Sequence, residues 1–118
     1  MFYSFEELVG QTFDKVENKD DEELIFYKKG QPIYKFYHEQ DCCEWVTVDD
    51  IDGDLSNLEG VPILEAEEVS SDGILGKEHD SSYTWTFYKF RTEKGYVTVK
   101  WYGFSNGYYS EEVNFCKL

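Results

Sequence analysis

Alternation of apolar and polar residues predicts a chain built mainly of β-strands. In one segment Val97, Val99 and Trp101 share a face, and the residues between them share the other. Aromatic and β-branched residues fill such segments throughout the chain, which is typical of strands. We predict eight strands, at residues 12–17, 23–28, 32–38, 45–48, 62–70, 83–91, 96–102 and 108–116.

Capping and turn residues mark the breaks between these segments. Ser4, with Glu7 three residues later, forms a capping box that predicts a helix of one to two turns ending at Gly10. A helical turn is predicted over residues 54–60, with Asp54 as its cap. The pair at residues 106–107, Asn-Gly, predicts a hairpin that makes the last three strands an antiparallel meander.

These elements predict a mainly β fold of the α+β type. We expect a curved antiparallel sheet or half-barrel of seven to eight strands with a short N-terminal helix; the alternative is a sheet with a helix packed on one face. The 118 residues form a single domain, 1–118, by the usual size of domains. Aromatic residues make up 19% of the chain, which excludes a disordered acidic tail.

Negative charge is concentrated in one third of the chain. The net charge is −14, from 25 acidic and 11 basic residues, and the stretch 36–76 holds twelve of the acids and no Lys or Arg. Such a one-signed field favours basic partners and disfavours bare nucleic acid and anionic membranes. The alternative is that these carboxylates only solvate one face. The predicted partner-binding carboxylates are Glu44, Asp49, Asp50, Asp52, Asp54, Glu59, Glu65, Glu67 and Glu68.

The same stretch opens with the densest cluster of metal-ligand residue types. His38, Asp41, Cys42 and Cys43 predict one structural zinc, because thiolate and imidazole are the ligands that zinc prefers. Adjacent cysteines in a regular strand would point apart, so both bind only if the backbone kinks there. A fourth ligand could also come from elsewhere in the chain, for example Glu67, Glu68 or Cys116. The alternative is an ordinary loop histidine beside two half-buried thiols.

Catalytic and calcium-binding patterns are weak. Cys42 and His38 could form a nucleophile and base, but acidic surroundings disfavour the thiolate. The run from Asp50 to Asp54 fails the EF-hand template, which needs glycine at the sixth position, where Leu55 stands. Aromatic residues that alternate along strands are more often core and cross-strand pairs than a sugar or nucleotide platform. We therefore predict that the protein is not an enzyme.

Cysteine usage and terminal sequence predict a cytoplasmic protein. The chain has three cysteines, and the adjacent pair 42–43 is not a disulfide framework, so thiols or metal ligands are expected in a reducing compartment. No apolar run approaches the ~20 residues that span a bilayer. The first ten residues lack the basic region of a signal peptide.

Two segments carry a family resemblance, namely YHEQDCCE at residues 37–44 and KGYVTVKWYGFSNGYYSE at residues 94–111. With PILEAEE at 62–68 and WTFYK at 85–89, they resemble small, largely uncharacterised proteins carried by phages, prophages and bacteria. That setting implies a counter-defence role. Size, acidity and the metal-like cluster are similar to those of a phage anti-CRISPR inhibitor of the type II RNA-guided nuclease, an enzyme with a basic channel for its heteroduplex.

Two functional classes therefore stay open. The first is an acidic inhibitor, encoded by a phage or prophage, that binds a basic nucleic-acid-binding protein of the host without contacting nucleic acid itself. The second is a small metal- or ligand-binding domain, with or without enzymatic activity.

Overall fold

The chain folds as two antiparallel sheets in a computed structural model that describes residues 4–71 and 82–118. The strands within these ranges are β1 Lys15–Lys19, β2 Glu23–Lys28, β3 Gln31–Tyr37, β4 Trp45–Asp52, β5 Glu65–Ser71, β6 Ser82–Thr92, β7 Gly95–Ser105 and β8 Asn114–Lys117. Single turns of 3₁₀ helix cover Phe5–Leu8 and Leu55–Leu58. No helix in the described ranges is long and apolar enough to cross a membrane.

Each sheet contains four strands. The first has the order β1-β2-β3-β8 and the second the order β4-β7-β6-β5. The mainly β class is confirmed, but the strands do not form one curved sheet or half-barrel. The reason lies in the crossovers: the chain passes from the first sheet to the second after β3, and returns to the first for β8.

The two sheets share one core made of aromatic and aliphatic side chains. Phe36 of β3 packs against Tyr88 of β6 with ring centroids 4.4 Å apart, and Phe26 of β2 lies 5.9 Å from Phe90 of β6. On β7 the three residues predicted to share a face, Val97, Val99 and Trp101, are all fully buried in that core. Burial of this apolar area is the main source of stability of the fold.

The predicted strands all overlap observed ones, and β2 has the predicted bounds. Ser4 caps the N-terminal segment as expected, although the segment is one 3₁₀ turn, and Asp54 caps the second turn through the backbone N–H of Ser56. The predicted meander is wrong at its last step. Residues after Asn106-Gly107 do not pair back onto β7; β8 pairs with β3 instead.

Candidate functional site

A loop at residues 38–44 carries the chain from β3 in the first sheet to β4 in the second, and Glu44 is its centre. Only 1% of Glu44 is exposed. Its Oε1 accepts the backbone N–H of Cys42 at 2.8 Å, and its Oε2 accepts that of Asp41 at 2.9 Å. The Gln40 amide donates to the side chain and to the backbone carbonyl of Glu44. The loop is therefore folded around one carboxylate.

Hydrogen bonding keeps this buried carboxylate ionised. Burial alone raises the pKa of Glu44, but the hydrogen bond from His38 and the backbone N–H groups of Cys42 and Asp41 outweigh it and lower that pKa to about 2. A buried charge is tolerated in a protein when it is paired and hydrogen-bonded, as here. Glu44 was predicted to contact a partner; in the structure it is an internal anchor, because the loop encloses it.

His38 joins this anchor to the last strand. Its Nε2 lies 2.8 Å from Oε2 of Glu44, and its Nδ1 lies 2.7 Å from the backbone carbonyl oxygen of Glu112, just before β8. Both ring nitrogens therefore lie against oxygen atoms of the protein. In this arrangement neither nitrogen faces an open position for a metal ion.

The two adjacent cysteines also differ from expectation. Cys42 and Cys43 form a disulfide in the structure, whereas thiols or zinc ligands were predicted. The physical reason is that they lie in a bend rather than a regular strand, so their side chains do not point apart. Asp41 is exposed beside them. Among residues 4–71 and 82–118, no group of three or more His, Cys, Asp or Glu side chains is arranged to hold a metal. As folded here, the cluster does not fit a tetrahedral zinc site.

Six of the remaining predicted carboxylates lie in two groups at opposite edges of the second sheet, whereas Asp54 and Glu59 flank the Leu55–Leu58 turn outside both groups. Asp49, Asp50 and Asp52 lie exposed on the edge strand β4, and Glu65, Glu67 and Glu68 lie on the other edge strand, β5. Three strand spacings of ~4.8 Å place the two edges roughly 14 Å apart. The acidic stretch is thus continuous in sequence but divided in space.

Several of these carboxylates have structural partners. Glu65 pairs with Arg91 at 3.1 Å, which lowers the pKa of Glu65, and Glu68 accepts the hydroxyl hydrogen of Tyr88 at 2.7 Å. Glu59 accepts the backbone N–H of Val16 at 2.8 Å. On β4, Asp50 lies 3.8 Å from Nζ of Lys100, a longer contact than these, and Asp52 is exposed.

A second acidic segment, which we did not predict as part of the site, lies beside β4. The backbone N–H of Val48 donates to the carbonyl oxygen of Asp21 at 2.7 Å, so the turn between β1 and β2 covers part of the β4 edge. Asp20, Asp21 and Glu22 of this turn are exposed. These residues lie between the predicted strands 12–17 and 23–28, but no local pattern indicates which distant strand the connection contacts. We call Asp20–Glu22, Asp49, Asp50 and Asp52 together the acidic edge.

Aromatic side chains stack in pairs on the second sheet, near the start of β4. Trp45, at the start of β4, is 63% exposed, and its ring lies nearly parallel to that of Phe104 with centroids 6.5 Å apart. Tyr83 and Tyr102 of β6 and β7 form a similar stacked pair at 6.3 Å. The prediction that strand aromatics form core and cross-strand pairs holds for these rings.

One family model, described as a domain of unknown function (DUF7448), matches residues 6–115. The chain belongs to this family. No curated protein and no solved structure matches the chain significantly. Membership in DUF7448 therefore assigns no activity to the chain.

One cleft of this DUF7448 domain lies against the acidic edge. Its volume is about 500 Å³, within the range of ligand-sized clefts. Tyr37 and Lys35 of β3 line one side, Trp45 and Thr47 of β4 line the other, and Glu22 lies at its edge. Lys35 bonds Glu23 at 2.8 Å, and this bond raises the pKa of Lys35. We call this cleft the β3–β4 groove.

Proposed function

We propose that this protein is a non-catalytic binding protein whose acidic edge associates with a basic protein. The observation that carries the proposal is the acidic edge itself: six carboxylates from two chain segments meet along one sheet edge, with Lys100 of β7 at 3.8 Å from one of them. A solubilising surface normally mixes charges of both signs. An edge with a large excess of negative charge instead accelerates association with a surface of opposite charge.

The narrower proposal concerns the partner. A phage- or prophage-encoded inhibitor of a type II RNA-guided nuclease would bind near the basic channel that holds the heteroduplex. Carboxylates along an edge strand could occupy such a channel as phosphates do. The resemblance of the 37–44 and 94–111 segments to phage and prophage proteins supports this partner, and the net charge of −14 supports any basic nucleic-acid enzyme.

A second candidate function is a small ligand-binding domain, favoured by a second cleft of about 570 Å³. Hydroxyl groups of β6 line it, and Glu111 accepts hydrogen bonds there from Thr84 at 2.9 Å and Ser105 at 2.6 Å. Such a cleft suits a polar ligand with several hydroxyl or amino groups.

Capture from a lysate of the host bacterium separates the two functions. Immobilised protein is expected to retain a large basic nucleic-acid enzyme and to release it as salt rises from about 50 mM to 0.5 M, because exposed charges ~10 Å apart are already screened at 0.1 M. A purified type II nuclease loaded with guide RNA should lose target cleavage at about one inhibitor per enzyme. If no basic protein is retained even at low salt, the proposed association with a basic protein is contradicted and the ligand-binding function is favoured.

The zinc site stays a prediction, and it requires the 42–43 disulfide to be reduced and His38 to turn away from Glu44. If reduced protein binds zinc, chelation should lower Tm, and Cys42→Ser or His38→Ala should give poorly folded protein, since metal binding energy would be folding energy. Elemental analysis of reduced protein purified without a His-tag measures this. Less than about 0.2 zinc per chain, with Tm indifferent to chelator, contradicts the prediction.

A further inference from the structure

The β3–β4 groove combines an exposed aromatic ring with carboxylates. Trp45 exposes 63% of its surface at the groove, which is unusual for a large indole, and Phe104 packs against the ring. Trp is enriched among the few side chains that contribute most of the binding energy of a protein interface. The exposed carboxylate of Glu22 lines the same groove.

The groove already holds one cation of the protein, Lys35, between an aromatic ring and a carboxylate. The Nζ of Lys35 lies 4.7 Å from the centroid of the Tyr37 ring and 2.8 Å from Oε2 of Glu23. An aromatic ring and a carboxylate thus bind an ammonium group together on the β3 side. On the β4 side, Trp45 supplies an aromatic ring and Glu22 a carboxylate. Among the described residues, no cation is seen to contact either of them.

We infer that the β3–β4 groove accepts an arginine side chain of the basic partner, stacked on Trp45 and paired with Glu22. This inference rests on the proposed function, and it locates one anchor of that interface. Arginine fits better than lysine, because the planar guanidinium stacks on an indole and bonds a carboxylate through two N–H groups. The net charge of −14 opposes both a second copy of this chain and a nucleic acid as the occupant.

Two synthetic peptides of equal charge test the inference without knowledge of the partner. One alternates arginine with glycine, and the other has lysine in place of every arginine. The intact protein should bind the arginine peptide at least about fivefold more tightly. Trp45→Ala should abolish this preference, and Trp45→Phe should retain most of it. Tyr96→Ala, which removes another exposed ring (72%) on the same sheet, is the matched control and should leave it unchanged.

Three results would overturn the inference: equal affinity for the two peptides, no measurable binding of either at low salt, or a preference that survives in Trp45→Ala. Circular dichroism confirms that each variant is folded. The proposed function fails separately. If the protein prefers the arginine peptide through Trp45 but captures no basic host protein, the arginine site is supported and the proposed function is contradicted. If Trp45→Ala captures the basic host protein as well as the parent does, the proposed function is supported and the arginine site is contradicted.

Discussion

Glu44→Ala is expected to lower Tm by on the order of 10 °C, the largest stability effect of any carboxylate substitution on β4 or in the loop before it. The change removes the acceptor for two backbone N–H groups and for the side chains of His38 and Gln40, all inside the loop. Buried donors left without acceptors are costly. Thermal unfolding followed by circular dichroism measures the change.

Glu39→Gln is the control, because Glu39 lies exposed in the same loop. It should change Tm by no more than about a degree or two. Glu44→Gln should also lower Tm. Its amide NH₂ group would face the backbone N–H of Asp41 and the ring of His38, where the carboxylate oxygen accepted hydrogen bonds. Equal Tm values for Glu44→Ala and Glu39→Gln would mean that the loop does not depend on its central carboxylate.

The same residue predicts a dependence of stability on pH. The folded-state pKa of Glu44 is about 2 against an ordinary 4.5, so its stabilising contribution is complete above about pH 4.5 and is lost as the pH falls towards 2. The parent protein should therefore lose stability across this window. Glu44→Gln lacks this carboxylate and should lose less stability across the same window.

Reversal of charge on β4 is expected to have the largest effect on binding. Asp49, Asp50 and Asp52, all changed to lysine, should weaken association with the basic partner by on the order of a hundredfold at low salt, mainly through the association rate. Asp54 is left unchanged, because its side chain caps the Leu55–Leu58 turn and its loss would confuse binding with stability. Surface kinetics at several salt concentrations measure the effect.

A variant with the same change in net charge tests whether position matters. Glu6, Glu7 and Glu93 are exposed and lie outside the acidic edge. Their reversal should weaken binding by less than about tenfold, through the general field alone. If both triple variants lose affinity equally, the acidic edge is not the contact surface and only net charge attracts the partner.

The local pattern was sufficient to predict the strands but not their arrangement into two sheets. Alternation identified β6 and β7 and the residues that share a face of β7, because successive side chains of a strand point to opposite faces. The pairing of β8 with β3 joins distant residues, such as Tyr37 and Asn114, and no local signal encodes it. The Asn106-Gly107 turn was identified, but a turn does not determine which sheet the chain enters next.

The internal role of Glu44 could have been predicted from the sequence. Glu44, Val46 and Val48 are alternate residues and all three are buried. The inward-facing positions of β4 therefore continue one residue before the strand begins. An inward-facing glutamate at that position indicates an internal acceptor. The donors that surround it could not be predicted, because they come from the backbone of a loop without a repeating pattern. The acidic edge was predicted only in its β4 part for the same reason: the contact of Val48 with Asp21 is long-range.

The crossing of the chain between sheets has a consequence for folding during synthesis. While β1, β2 and β3 have left the ribosome, the edge of β3 that β8 later covers has unpaired backbone groups, and Phe36 lacks its contact with Phe115 at 4.8 Å. Such distant pairings fold slowly, in milliseconds to seconds. Nascent chains would thus expose an unpaired strand edge and the apolar ring of Phe36 until β8 emerges. We therefore expect chaperones to bind the nascent chain during translation.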